Sequence, residues 1–302
     1  MHLPDEMLHG AVCPVTAMLS AVGVATAAVA ALRVRQPLPS AAKCGAVSAL
    51  IFAGQLVNFP ISGGTSGHLL GGVLASALLG TPLGVLAMSL VVTVQCLIFA
   101  DGGLSVLGAN LLNMAILGAG VGGLLWERCT ARRLLDLAGI AWCCVLIGAA
   151  ACSAELAMAG TVTWAQVLPA MLGVHALIGL GEAVLTVVVY WVWNRRDETL
   201  REKNLRPALV GLSALLIGLL IAPFSSRLPD GLEWVARPYA FYKSTAPHFA
   251  GLAPDYLFPG VKNAALATSL AGAAGVLAIF AIAWSAASSL TRLRNSAKIS
   301  AA

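Results

Sequence analysis

Of 302 residues, 59% are hydrophobic and only 10% carry a formal charge, with a mean hydropathy of +0.88. That composition lies outside the range of soluble domains and makes a lipid bilayer the main solvent. A net charge of +5 comes with no basic stripe interleaved with aromatics, which excludes a nucleic-acid surface.

The chain opens Met1-His2-Leu3-Pro4-Asp5-Glu6-Met7, without a basic n-region, so no cleavable signal is expected and the mature chain should start at Met1. Apolar runs at 13–33, 44–60, 68–80, 82–100, 104–125, 138–159, 164–193, 208–224 and 264–290 predict nine membrane helices, most near the ~20 residues that a bilayer core requires. The shortest, 68–80, reads as a tilted or partly re-entrant segment. With the N-terminus outside, fourteen of the 18 Lys and Arg fall in inner loops. The other four, Arg227, Arg237, Lys243 and Lys262, share one long outer loop. The positive-inside rule therefore places the N-terminus outside and the C-terminus in the cytoplasm of a cell (inner) membrane.

Texture divides the chain into three: 1–195, closely spaced helices; 196–206, a charged cytoplasmic linker; and 207–302, two membrane helices flanking a Pro- and aromatic-rich outer loop at 225–262 that should be turn-rich. Seven cysteines show no C-x-x-C spacing and most lie in apolar runs, where a thiol is a small hydrophobe; Cys13 alone is worth watching as a soft ligand.

Few groups carry chemistry. A chain beginning X-His can wrap a divalent metal with its terminal amine, the amide nitrogen of residue 2 and the imidazole Nδ1, leaving one planar position open. His is too large for ordinary trimming of the initiator Met, so Met1 and His2 should present that chelate; otherwise His2 is only an early residue of a tail. On the outer side, Asn58-Phe59-Pro60-Ile61-Ser62-Gly63-Gly64-Thr65-Ser66-Gly67-His68 reads as a flexible turn opening into a helix, with Thr65 or Ser66 as its N-cap. His68 supplies a fourth nitrogen for a square-planar site, the preference of Ni(II) and Cu(II), or else it merely packs at the helix start.

Asp101 lies in another outer turn, and Asn110 and Asn113 follow on the next helix. These amides could orient His68 or the N-terminal strand, or simply join helices. His175 and Glu182 are seven apart on one helix face, and intramembrane ionisable groups are functional candidates by default, with roles left open. The small residues Gly67, Gly71, Ala75 and Gly72, Ser76, Gly80 suit either internal packing or docking. Neither the phosphate-cradling G-x-x-x-x-G-K-[ST] nor H-E-x-x-H occurs, so energy must come from elsewhere.

The strings M-H-L-P-D at 1–5, N-F-P-I-S-G-G-T-S-G-H-L-L-G-G at 58–72, F-A-D-G-G-L-S-V-L-G-A-N-L-L-N-M at 99–114 and G-V-H-A-L-I-G-L-G-E-A at 173–183 resemble the CbiM/NikM family, the S components of cobalt and nickel energy-coupling-factor transporters. P-D-G-L-E at 229–233 looks like the accessory N component of the NikN/CbiN type, here fused. The resemblance implies an all-α integral membrane protein, a seven-helix S component with a two-helix C-terminal hairpin. It implies metal ligands at Met1, His2 and His68. It also implies a T component (CbiQ/NikQ type) and ABC ATPases (CbiO/NikO type) as partners, and no ATPase in this chain. Ni(II) is the expected substrate, since the fused arrangement looks more like the nickel branch, with Co(II) for cobalamin synthesis as the alternative. A more distant alternative is an intramembrane metalloenzyme using His175 and Glu182. Where the commoner family pattern has Gly after Asp5, Glu6 and Met7 stand here.

Overall fold

The computed structural model describes residues 2–195, 205–241, 249 and 251–300. Its elements are α1 (Val12–Arg33), α2 (Ala41–Gln55), β1 (Phe59–Ile61), β2 (Thr65–Gly67), α3 (Gly72–Leu79), α4 (Thr81–Phe99), α5 (Leu107–Arg128), α6 (Leu134–Met158), α7 (Trp164–Asn194), α8 (Arg206–Phe224), α9 (Gly231–Ala236) and α10 (Ala264–Ser300). Seven of these, α1, α4, α5, α6, α7, α8 and α10, are long and apolar enough to cross a bilayer. The protein is thus an all-α multi-pass membrane protein, and the hairpin β1–β2 is the one sheet among the described residues. Inside α5 the stretch Leu112–Val121 is π-helical.

Two of the nine expected helices are shorter than the hydropathy suggested. Helix α2 ends at Gln55 rather than 60, and α3 begins at Gly72 rather than 68. Pro60 has no N–H to continue a helix. Its neighbours pair instead in an antiparallel hairpin with Phe59 opposite Gly67 and Ile61 opposite Thr65, turned by Gly63 and Gly64 at φ of +92° and +80°. Thr65 and Ser66 are consequently strand residues and not N-caps; Gly71, at φ +79°, holds that place before α3.

Helix α3 sits inside the protein. A Cβ on Gly72 would come within 2.7 Å of the Gly118 carbonyl carbon, and Ser76 Oγ donates to the Ala119 carbonyl at 2.7 Å. The series Gly72, Ser76, Gly80 therefore serves close helix packing against α5, which in lipid rests on van der Waals contact more than on hydrophobic driving force. Helix α4 is central, with 67% of its apolar window buried against 22% for the peripheral α1.

The C-terminal pair docks on α2 in the same way. A Cβ on Gly45 would lie 2.9 Å from the Phe280 carbonyl oxygen, Gly218 and Gly272 cross backbone to backbone, and Val276 and Ile279 join Val47, Ile51 and Phe52 in one core. A second core joins Leu3, Met7 and Leu8 of the N-terminal segment to Met171 and Ile178 of α7 and to Leu232 and Val235 of α9. Cys13 packs against that cluster as a hydrophobe. Of the expected linker at 196–206, residues 196–204 lie outside the described ones.

Candidate metal centre

Three segments converge at one end of the helices: the N-terminal strand, the hairpin with the stretch that follows it, and the loop between α8 and α10. The strand is clamped by Asn110, whose Nδ2 donates to the Leu3 carbonyl at 3.1 Å while its Oδ1 accepts from Leu3 N–H at 2.8 Å. Gly103 N–H donates to the same carbonyl at 2.8 Å, and Asp5 accepts from the N–H and hydroxyl of Ser105. The glycines matter because a Cβ on Gly102, which stands at φ +83°, would meet Asn110 and His2, and one on Gly103 would overlap Asp5.

This clamp delivers His2. Its imidazole lies nearly parallel to that of His68, with centroids 5.8 Å apart and 16° between planes. An ion held at the ~2 Å nitrogen distances of imidazole ligands would lie roughly 3 Å from the centroid of each ring it binds. His68 Nδ1–H donates to the Leu69 carbonyl at 2.9 Å, which puts that ring's lone pair on Nε2. His2 Nδ1 faces Asp101 Oδ1 at 3.4 Å, and His2 Nε2 is buried without a hydrogen-bond partner among the described residues. Burial pushes both imidazoles below their ordinary pKa; for His68 the positive charge of the terminal amine and of His2 adds to the effect, while for His2 Asp101 opposes it. Met1 itself lies outside the described residues.

Unlike the expected helix start, His68 stands in a non-helical stretch, 68–71, that runs into α3. Irregular backbone at that depth needs protein partners. Glu182 supplies two, accepting from Leu70 N–H at 2.6 Å and Gly71 N–H at 2.8 Å. Gln55 Nε2 donates to the Leu70 carbonyl at 2.7 Å. Glu182 is thus an anchor for the His68 stretch. Seven residues earlier, His175 donates Nδ1–H to the Met171 carbonyl and packs against Gly231, where a Cβ would lie 3.0 Å from His175 Cε1. His68, His175 and Asp230 line a void of about 10 Å³, near the lower limit for one water. Asn113 does not reach the site; its Nδ2 donates to Glu155 Oε2 at 2.8 Å and joins α5 to α6.

The P-D-G-L-E segment forms the third wall. Ser66 N–H donates to the Pro229 carbonyl at 2.8 Å, its hydroxyl to the Leu228 carbonyl at 2.8 Å, and the Thr65 hydroxyl to Pro229 at 3.1 Å. Trp234 Nε1–H donates to Gly63, and Asp230 caps α9 by accepting from Glu233 N–H. Burial alone would raise the Asp230 carboxyl, yet the terminal amine, the Glu233 N–H and the two nearby histidines outweigh it and hold Asp230 below the usual carboxylate range. Above lies a cavity of about 830 Å³ lined by His2, His68, Asp101, Asp230 and Tyr256 among others. Among the described residues no three His, Cys, Asp or Glu side chains converge as a ready-made ligand set, so an ion beside His2 and His68 would need backbone or terminal nitrogens as well.

Sequence reasoning missed Gln55, which reads as an ordinary polar residue in an apolar run and whose only signal was the rarity of amides in a membrane helix. It also missed Tyr256, a loop residue that carried no such signal.

Comparison with known proteins shows the family to which the chain belongs. The profile described as the cobalt uptake substrate-specific transmembrane region, CbiM, matches residues 2–200, and that of the PDGLE domain matches 206–292. A protein of Archaeoglobus fulgidus named as a fused nickel transport protein, NikMN, is 34% identical, the match covering 98% of this chain and all of that one. The fused nickel transport protein NikMN of Rhodobacter capsulatus is 30% identical over 86% of this chain and 84% of its own. The cobalt transport protein CbiM of Salmonella typhimurium is 31% identical, but over 49% of this chain and 64% of its own. A crystal structure of a transition metal transporter superposes with a TM-score of 0.57 at 27% identity, covering 66% of this chain and 94% of that one.

Proposed function

Because the chain belongs to the CbiM family of nickel and cobalt transport proteins, with a PDGLE domain fused behind it, we propose that it is the substrate-capturing subunit of an ATP-driven importer of the energy-coupling-factor type, and that its substrate is Ni(II). The observation that carries this reading is the parallel pair His2 and His68, buried in the lining of one cavity.

In this reading the terminal amine of Met1, the residue-2 amide nitrogen and the His2 imidazole wrap the ion in fused chelate rings. His68 Nε2 closes a plane of four nitrogens, a geometry that favours Ni(II). Asn110 and the Gly102-Gly103 turn hold the strand that presents the chelate, and Glu182 with Gln55 holds the stretch that presents His68. The relatives named as fused nickel transport proteins match over 78% to 98% of this chain, those named for cobalt over 48% to 77%, which supports nickel over cobalt. With no phosphate-cradling motif in the sequence, movement of the ion inward falls to partner subunits, a T component and paired ABC ATPases, with the N-terminus outside and the C-terminus in the cytoplasm.

Inserting one residue too large for trimming of the initiator Met, such as leucine, between Met1 and His2 tests the ligand set. The lengthened tail holds an amine, two amide nitrogens and an imidazole, enough for a planar site without His68. Calorimetry of Ni(II) binding should then show His68→Ala costing the parent at least about a hundredfold in affinity, ~3 kcal/mol, and the inserted protein almost nothing. Equal losses in both backgrounds would mean that His2 and His68 do not share one ion.

A further inference from the structure

The α8–α10 loop brings one side chain onto the carboxylate that faces His2. Tyr256 OH donates to Asp101 Oδ2 at 2.5 Å, while Asp101 Oδ1 faces His2 Nδ1 at 3.4 Å. The Tyr256 ring stacks on Phe99 at 4.6 Å with 18° between planes, and lies 6.2 Å from Phe52. Its backbone is in the left-handed region at φ +57°, directly after Asp255 at +52°. Each such non-glycine residue costs roughly 1–2 kcal/mol and persists only where surrounding contacts over-determine it. Here the contacts are the phenol–carboxylate bond and the aromatic stack.

We propose that Tyr256, contributed by the PDGLE portion, is a positioning residue for the metal site: by holding Asp101 it orients the His2 imidazole for Ni(II). This rests on the ligand reading above. In the metal-free protein Asp101 Oδ1 stands 3.4 Å from His2 Nδ1, within electrostatic reach of an Nδ1–H. When Nδ1 becomes a ligand, a half-turn of the ring places Nε2–H where Cε1 stood, the ring position next to Nδ1, so the same carboxylate receives the other N–H. A carboxylate behind a metal-bound imidazole fixes its orientation and basicity, and losing such a partner typically costs 10–100-fold in metal affinity. Tyr256 keeps Asp101 facing the ring in both states, and the C-terminal portion thereby completes a site whose nitrogens all belong to the N-terminal one.

The test is Ni(II) affinity of the full chain in detergent, by calorimetry, for the parent, Tyr256→Phe, Tyr256→Leu, Asp101→Asn and the Tyr256→Phe/Asp101→Asn double variant. Tyr256→Phe keeps the stack and should lose about tenfold in affinity with an unchanged unfolding midpoint of the metal-free protein; in the Asp101→Asn background it should lose nothing more. The proposal is overturned if Tyr256→Phe binds like the parent while Tyr256→Leu does not, because Tyr256 would then only pack, or if its loss is undiminished beside Asp101→Asn. Nitrogen-15 spectra of the parent's imidazoles give a check that needs no variant: metal-free His2 should be the Nδ1–H tautomer, and the Nε2–H tautomer overturns the arrangement. A parent that binds no nickel overturns the ligand reading itself, an outcome distinct from parent-like binding by Tyr256→Phe.

Discussion

Both site imidazoles are nearly out of water, His68 at 8% exposure and the His2 side chain at 7%, and burial keeps each neutral below the ~6.5 of a free imidazole. From sequence, nickel affinity is expected to fall steeply once pH drops below about 6.5. Burial moves the histidine part of that fall to lower pH, and the loss between pH 8 and 6.5 belongs to the terminal amine, whose ordinary pKa is about 7.7–8.0. Affinity measured across pH 8 to 5 should therefore decline continuously, by at least about tenfold overall, as ligand protons compete with the metal. A flat profile would rule out a nitrogen-ligand site. The same depressed pKa values act on folding: below ~6.5 the unfolded chain binds protons that the folded imidazoles refuse, so their contribution to stability is present above that pH and is lost as pH falls. At this scale His2 and His68 were legible, since an X-His start and a lone histidine in a Gly-rich turn are local patterns. Their alignment was not, because it depends on Asn110, more than a hundred residues away from the strand it clamps.

Helix α3 and the stretch before it show how far a hydropathy run falls short of an element. The run 68–80 contains one eight-residue helix, and its first four residues are non-helical because polar side chains from α2 and α7 receive their backbone groups. Glu182 was visible from sequence as an unusual ionisable residue in a membrane helix, yet its partners, Leu70 and Gly71, lie 112 and 111 residues away. Glu182→Ala strands two buried N–H groups at ~1–3 kcal/mol each. The variant should lower the stability of the purified protein by about 2–4 kcal/mol and weaken nickel binding by displacing His68, whereas Glu182→Gln, keeping one acceptor oxygen, should recover part of both. Unchanged unfolding and binding in Glu182→Ala would show that the stretch needs no such anchor.

The two portions of the molecule meet around one cavity. Helix α10 packs on α2 at Gly45 and Gly275, α8 crosses α10 at Gly218, and the P-D-G-L-E segment is bonded to the hairpin beside His68, so both portions wall the cavity that His2 and His68 line. In the proposed function this chain captures the ion and partner subunits drive its transport. Vesicles containing the protein alone should bind nickel at the outer face and accumulate none against a gradient, with or without ATP inside; concentrative uptake by the lone chain would contradict the assignment of energy coupling to partner subunits. By itself, the sequence determined the solvent, the helical class, the two-portion order and the metal-binding residue types, because hydropathy runs, short motifs and an X-His start are properties of neighbouring residues. Only the tertiary structure decided that α2 and α3 stop short, that Glu182 anchors the His68 stretch, that Asn113 stays away from the site and that Tyr256 reaches Asp101. Each of those rests on contacts between residues far apart in the chain, whose side chains carry no local mark of the partner that folding brings to them.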